Sequence, residues 1–537
     1  MQSAWWHAMP TLNQKIATSL ESLRAAGADR ACVLRSSALS RTDQERLVVH
    51  GYLRQIMPGW LMVVDPNSRA GDSTPYYANF WKFLSMYCDD RFDGRWVADA
   101  QTSLRLHAGE HTVPRQVVVI SPGANNRSQD FPFKTSLFTM RANLPSSEVK
   151  NGIRVMPLGE ALVRAAPTFF EQEQTIALAA LASLGSASEV VAPLLAGGHS
   201  VVAGRLAAAF RSIGRSGVAD EIIGAMTAGG HRVSERDNPL QGVPPGLSFR
   251  RRVSPVAARV TALWASLRPG VLEAFAQEPQ QVEDTGRYLV DVDERYVADA
   301  YHSLSIEGYQ VTPELIEKIR LGDWKPENSE ADRDQRNALA AKGYAECFKL
   351  VRGAVADILA GEEAAQLIQD RHMSWFRTMF QPSVAAGLFL SERLAGYRGH
   401  FIYLDGSRYV PVAHASVQDA MDAYFDCLEA EADPRVRSIL GHFIFTYIHP
   451  LPDGNGRIGR FIMNTQLASG GYPWTIVPVD ERARYMRSLD AASLEHDVRP
   501  FAGLVSELIL REPPPPRKRA PDEEPSLREE QETGYRP

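Results

Sequence analysis

Cysteine is scarce: Cys32, Cys88, Cys347 and Cys427 are the only four in 537 residues, and they are far apart. Such spacing builds neither a zinc-ligand cluster nor a disulfide framework. It suits a reducing compartment, with the thiols serving as small buried apolar groups. A long apolar run is also missing. The most apolar stretch, residues 175–204, is interrupted by Glu189, glycine and serine, short of the ~20 apolar residues a membrane-crossing helix needs. The first ten residues lack a basic start followed by an apolar run, so no secretory signal is expected and a cytoplasmic protein with no membrane partner is. An excess of one charge is absent too. Lys and Arg number 58 and Asp and Glu 64, a formal net charge of −6 that gives no support to nucleic-acid binding by bulk charge. The balance is uneven, however: residues 1–250 hold 25 basic and 21 acidic side chains, so the front is mildly basic and the remainder acidic.

What is present is ordinary for folded protein, with 44% hydrophobic and 23% charged residues. At this length one core stops growing, so several domains are expected. Residues 1–69 show helical patterns at 12–26 and 43–50, then two β segments around Pro58-Gly59. That order describes a winged-helix-like module, with a small helical domain as the plainer alternative. Arg35, Arg41, Arg46 and Arg54 are its candidate phosphate contacts. Residues 70–235 look like a mixed α/β domain, with a buried-strand run at Gln116–Ile120. A Pro- and Gly-rich linker and helical connector fill 236–288, and a mainly α-helical domain fills 289–510. The tail, 511–537, opens with Pro513–Pro516 and has too few apolar side chains to offset its ordering entropy, so disorder is expected. The layout of residues 10–235, including Val201–Leu206, resembles the antitoxin component of abortive-infection systems. That resemblance implies a regulatory front half and DNA as a partner of the N-terminal domain; it carries no active site.

The stretch that carries chemistry runs His449-Pro450-Leu451-Pro452-Asp453-Gly454-Asn455-Gly456-Arg457-Ile458-Gly459-Arg460. Before it, Ile439, Leu440, Phe443, Ile444, Tyr447 and Ile448 recur at helical spacing, and Pro450 disfavours helix at His449. Apolar spacing resumes after it, so the stretch is a loop that opens a second helix. Gly454 and Gly456 let backbone N–H groups turn inward as an anion nest, and a helix N-terminus adds further donors. Arg457 and Arg460 supply planar donor groups for phosphate oxygens. Asp453 supplies a carboxylate suited to Mg²⁺ that is also bound by phosphates. His449 is the natural general base near neutral pH.

This loop resembles the signature of the Fic family, H-P-F-x-[D/E]-G-N-G-R-x-x-R, with Leu451 in place of Phe. In the family that side chain anchors the loop in the core, so Leu451 leaves room for a somewhat looser loop but removes no catalytic role. The resemblance extends over about residues 290–510. It implies a helical core that transfers AMP from Mg-ATP to a Ser, Thr or Tyr hydroxyl of a target protein or of the chain itself. His449 would be catalytic. Asp453, Gly454, Asn455, Gly456, Arg457 and Arg460 would bind the nucleotide phosphates, with Asp453 also the metal ligand. Related scaffolds transfer UMP, phosphocholine or phosphate; Gly456 argues against the kinase-like branch, which carries Lys there. Many members dimerise, which makes a homodimer a candidate assembly. Residues 397–412 alternate across Asp405-Gly406 and resemble the family's β-hairpin flap, which aligns a target segment by strand addition.

Ser303-Leu304-Ser305-Ile306-Glu307-Gly308 fits the family's inhibitory pattern [S/T]-x-x-x-E-[G/N]. The resemblance implies that Glu307, with Ser303 and Gly308, occupies Arg460 and keeps ATP from a productive pose. In some relatives the same Glu supports the reverse removal of AMP. The plainer alternative is a helix-capping or solvated Glu. A reading from another class also stands: a DNA-binding, toxin–antitoxin-like regulator whose Fic core is a sensor.

Overall fold

The computed structural model describes residues 11–27, 32–66, 72–235, 238–240, 247–322 and 332–512. Residues 513–537 of the tail expected to be disordered, with the Pro513–Pro516 run, lie outside the described residues, as do Gly242, Pro244, Pro245 and Gly246 of the expected linker. The chain is mostly helical, and it divides into two compact units: Met1–Ala262 with His400–Ser416, and Leu263–Gly399 with Val417–Pro537.

The first unit opens with helices α1 (Leu12–Ala25) and α2 (Arg41–Val49) and strands β1 (Val33–Arg35), β2 (Leu53–Met57) and β3 (Trp60–Val63). Each helix starts where its cap dictates. Thr11 and Gln14 form a reciprocal capping box before α1, and the Ser40 hydroxyl accepts the Asp43 N–H in the first turn of α2. Gly59, at φ +86°, makes the tight β2–β3 turn, and the sheet order is β1-β3-β2, all antiparallel. The four candidate phosphate arginines are all engaged. Arg35 pairs with Asp90, Arg41 with Glu45, Arg46 donates to Ser19 Oγ, and Arg54 donates to the Asp72 carbonyl.

Next come α3 (Thr74–Phe92), β4 (Val97–Ala98), α4 (Ala100–His107), β5 (Gln116–Ser121), β6 (Arg127–Phe131), β7 (Thr135–Arg141), β8 (Glu148–Lys150) and β9 (Ile153–Val155). The second sheet has order β4-β5-β7-β6, with β5 and β7 parallel. The expected buried strand is β5, where Val117 and Val119 are fully buried. Beyond β9 the unit is helical: α5 (Leu158–Arg164), α6 (Pro167–Gln172), α7 (Gln174–Ser183), α8 (Ser188–Gly197), α9 (Ser200–Ser212) and α10 (Ser216–Ala228). The division between units falls inside α11 (Pro255–Ala274).

Two expectations are corrected here. The flap at 397–412 keeps a turn at Asp405-Gly406 but contains no strand. Its backbone groups are bonded elsewhere: the Gly406 N–H donates to Thr74 Oγ1, the Arg408 carbonyl accepts the Val113 N–H, and the Tyr409 N–H donates to Ser407 Oγ. A ladder across the turn would need those same groups. The cysteines are not uniformly buried either: Cys88 and Cys347 are, whereas Cys32 is exposed and Cys427 is partly so.

The second unit continues with α12 (Thr285–Ile306), α13 (Pro313–Leu321), α14 (Asp332–Leu359), α15 (Ala364–Ala385), α16 (Val417–Ala430), α17 (Pro434–Ile448), α18 (Asn455–Ser469), α19 (Arg482–Leu494) and α20 (Arg499–Ile509). Its centre is the α17–α18 pair. The whole apolar set named on the first helix is buried, and so are Ile458, Phe461, Ile462 and Leu467 on the second.

Candidate active site

Asp433 caps the start of α17 by accepting the Arg435 N–H, and Pro434 occupies the first turn, where its missing donor costs nothing. The helix ends at His449, which takes a left-handed conformation (φ 54°, ψ 58°). A residue with a Cβ adopts that backbone only at a cost. Its Nδ1 lies 3.2 Å from the Thr446 carbonyl. A carbonyl only accepts, so Nδ1 carries the proton and Nε2 presents a lone pair. Burial pushes the imidazole pKa down to about 4, so the ring is neutral at pH 7.

The loop that follows is clamped. Asn455 Oδ1 accepts the Leu451 N–H and its Nδ2 donates to the Leu451 carbonyl, both at 2.9 Å. Leu451 is itself fully buried. Two hydrogen bonds and a buried side chain therefore hold Leu451, which stands where the Fic signature has Phe. Gly454, at φ +79°, precedes α18 and turns the chain into it; a side chain there would also meet the Phe380 ring at 2.9 Å. Asn455, Gly456 and Arg457 form the first turn of α18, where N–H groups have no partner within the helix.

Arg457 is 2% exposed, and its guanidinium lies between the rings of Phe380 (5.0 Å) and Tyr309 (5.2 Å). Arg460 is also buried. Its Nε donates to Ser303 Oγ and its Nη2 to the Ser303 carbonyl, each at 3.0 Å. The same Nη2 donates to Glu307 Oε1 at 2.8 Å. Arg457 Nε and Arg460 Nη1 are buried with no hydrogen-bond partner among the described residues. Two buried guanidinium groups with spare donors at one helix start form a site for an anion with several oxygens.

A carboxylate already sits there. A Cβ built on Gly456 would lie 2.3 Å from Glu307 Oε1 and 3.2 Å from Arg460 Nη1, so glycine at 456 gives Glu307 its room. Burial pushes the Glu307 carboxyl up, but Arg460 and Arg457 outweigh it and hold the group below its ordinary range. Gly308, at φ +84°, turns the chain after α12 and brings Tyr309 back, its N–H donating to the Leu304 carbonyl. Asp453 is half-exposed and accepts from the Gly454 N–H and from Arg457 Nη2. Its carboxylate suits a metal ion that takes one or two carboxylates and completes its shell with substrate phosphates. Among the described residues, no group of three or more His, Cys, Asp or Glu side chains is placed to hold a metal without such help.

The loop residues His449, Asp453, Gly454, Asn455, Gly456, Arg457 and Arg460 and the group Ser303, Glu307 and Gly308 thus lie in one neighbourhood of the second unit. Sequence reasoning missed their supports. Tyr309 and Phe380 flank Arg457, and Arg398 grips the end of α17. Buried Asp299 accepts from the Tyr344 hydroxyl at 2.6 Å, and burial pushes its carboxyl up to about 6. Nothing in spacing links residues 299, 344, 380 and 398 to the loop; Tyr309 alone had a signal, lying two positions past Glu307. Asn464, four residues after Arg460, accepts the Thr475 N–H and donates to the Arg460 and Thr475 carbonyls, which ties α18 to the segment that follows it.

A family model described as "Fic/DOC family" matches residues 364–467, which contain the whole loop. Residues 364–467 are thus similar to the Fic/DOC family. Among curated relatives, protein adenylyltransferase Fic of Drosophila willistoni is 33% identical over 115 residues, covering 21% of this chain and 22% of that protein. Protein adenylyltransferase fic-1 of Caenorhabditis elegans is 36% identical over 104 residues, covering 19% and 20%. The match thus spans about a fifth of the length of these relatives. Among solved structures, a fragment of C. elegans Fic-1 aligns at TM-score 0.34 and 21% identity, covering 65% of this chain and 94% of that one. A Fic domain-containing signalling protein of Bacteroides thetaiotaomicron aligns at 0.34 and 18%, covering 47% and 92%. The likeness to the Fic/DOC family rests on the sequence matches and is confined to this part of the chain.

Proposed function

We propose that this Fic protein is an adenylyltransferase that moves AMP from ATP to a Ser, Thr or Tyr hydroxyl of a protein, and that Glu307 restrains it. The observation that carries the reading is the pairing of a neutral, Nε2-unprotonated His449 with buried, under-satisfied Arg457 and Arg460 across one loop. In this reading Nε2 takes the proton of the attacking hydroxyl as its oxygen bonds to the α-phosphorus. The bond from that phosphorus to the bridging oxygen breaks, and pyrophosphate leaves. N–H groups of Asn455 and Gly456, at the helix start that Gly454 turns into, meet the charge growing on the α-phosphoryl oxygens. Arg457 and Arg460 hold the outer phosphates. Asp453 would hold Mg²⁺, which when bound offsets phosphate charge and favours departure of pyrophosphate.

The brake has a direct physical basis. Glu307 puts an anion on the donors of Arg460 that the terminal phosphate of ATP needs, so the nucleotide must displace it or bind out of line. The test is to incubate wild type, Glu307→Gly and His449→Ala with α-labelled ATP, Mg²⁺ and a host lysate, then measure intact masses. Glu307→Gly should label more than wild type, and His449→Ala should not label. Undiminished labelling by His449→Ala would remove the mechanism, and unchanged labelling by Glu307→Gly would remove the brake. A mass gain of UMP or phosphate would reassign the transferred group.

At the front of the chain, two helices and a three-stranded antiparallel sheet support the winged-helix reading and, with it, DNA as a partner. The engagement of Arg35, Arg41, Arg46 and Arg54 within the chain weakens the DNA part of that reading. A gel-shift titration would test it, since true phosphate contacts weaken steeply with salt.

A further inference from the structure

The left-handed backbone of His449 needs a cause, because a left-handed residue with a Cβ is disfavoured and the carbonyls at a helix C-terminus lack intrahelical donors. Arg398 supplies it. Its Nε donates to the His449 carbonyl at 2.7 Å, its Nη2 to the Ile448 carbonyl at 3.3 Å, and its backbone N–H to the Pro450 carbonyl at 2.8 Å. One residue therefore grips three consecutive carbonyls, centred on the base. Its side chain is 3% exposed, and its positive charge lies at the negative end of α17.

Arg398 is anchored in turn. The neighbouring Tyr397 ring stacks on His372 at 5.9 Å and 22°. His372 Nδ1 faces the Ile368 and Gln369 carbonyls, so it carries the proton, and Nε2 accepts the Tyr397 hydroxyl at 2.9 Å. A buried ring on α15 thus fixes the backbone from which Arg398 reaches α17.

We propose that Arg398 is a positioning residue for His449: by bonding the carbonyls of Ile448, His449 and Pro450 it imposes the left-handed turn that aims the imidazole. Lysine cannot replace it, since an ammonium lacks the planar fork that reaches two carbonyls at once. The kinetic arm of the test rests on the adenylyltransferase reading; the structural arm does not.

Arg398→Gln and Arg398→Lys are made in the full chain, alone and with Glu307→Gly, and thermal melts select the folded variants. For AMP transfer, kcat should fall about a hundredfold in Arg398→Gln and about tenfold in Arg398→Lys, with KM for ATP unchanged, as misplacing a reacting group does. A general loss of fold would instead move both constants. Crystal structures of the same variants should show His449 outside the left-handed region. If Arg398→Gln does not fold, Arg398→Lys is the deciding variant. Wild-type kcat with His449 still at positive φ overturns the proposal. If no chain transfers AMP, the functional reading fails, and the φ of His449 in the variant crystals alone decides the role of Arg398.

Discussion

The two units use arginine in opposite ways. At the front, Arg35 and Arg41 lie at the surface with carboxylate partners of their own. At the loop that opens α18, Arg457 and Arg460 are buried, and each keeps a nitrogen without a hydrogen-bond partner among the described residues. The front has the favourable net charge, yet the acidic rear has the anion site. A surface guanidinium satisfied by a neighbour gains little from a phosphate. A buried one with an idle donor has already lost its water, so a phosphate that fills the gap is bound strongly. Net charge alone therefore could not reveal the anion site at Arg457 and Arg460.

That contrast can be broken by substitution. The largest effect is expected for Arg460→Met, which leaves Glu307 facing the loop without its main partner. Stability should fall by about 3–5 kcal/mol, the usual cost of removing one member of a buried pair, and AMP transfer should be lost. The double variant Arg460→Met/Glu307→Gln should recover part of that stability in a thermal melt; full additivity would mean the two side chains do not interact. The pair also sets a pH dependence. Because Glu307 is held below its ordinary range, its contribution is complete above the unfolded carboxylate pKa and is lost as pH falls through the lowered folded value. Wild type and Glu307→Gln should thus differ in melting temperature at neutral pH and converge in acid.

Next comes Leu451→Ala. A fully buried leucine cut to alanine costs about 2–5 kcal/mol, and the Asn455 clamp should keep the loop in register, so AMP transfer should fall less than stability. A larger loss of transfer than of stability would show that Leu451 itself sets the loop geometry. The smallest effect belongs to the front: Arg35→Gln should cost under about 1 kcal/mol, and less in high salt, as exposed pairs do. A larger cost would make that arginine structural and close the contrast between the units.

Much of the site was legible because its chemistry is local. His449, Asp453, the two glycines, Arg457 and Arg460 fall within twelve residues, and helix periodicity on both sides placed them on a loop opening a helix. Glu307 was legible through a short local pattern. The flap was misread because alternation and an Asp-Gly turn describe a hairpin only when the backbone groups are left to pair with each other. Here Thr74 and Val113, hundreds of residues away, take them. Leu451 is held both by its burial and by the Asn455 side chain four residues on, a clamp that the signature alone does not reveal.

By itself the sequence determined which atoms can do chemistry: a base, a carboxylate, a glycine nest and two guanidinium groups at fixed spacing. It also determined, through proline and glycine, where the helices stop. Only the tertiary structure decided what those atoms experience. Burial sets the neutrality of His449, Arg398 holds its backbone, two aromatic rings orient Arg457, and Glu307 fills the room left by Gly456. These are effects of groups distant in sequence brought within about 3–5 Å, and both desolvation and hydrogen bonding depend on that proximity rather than on order along the chain.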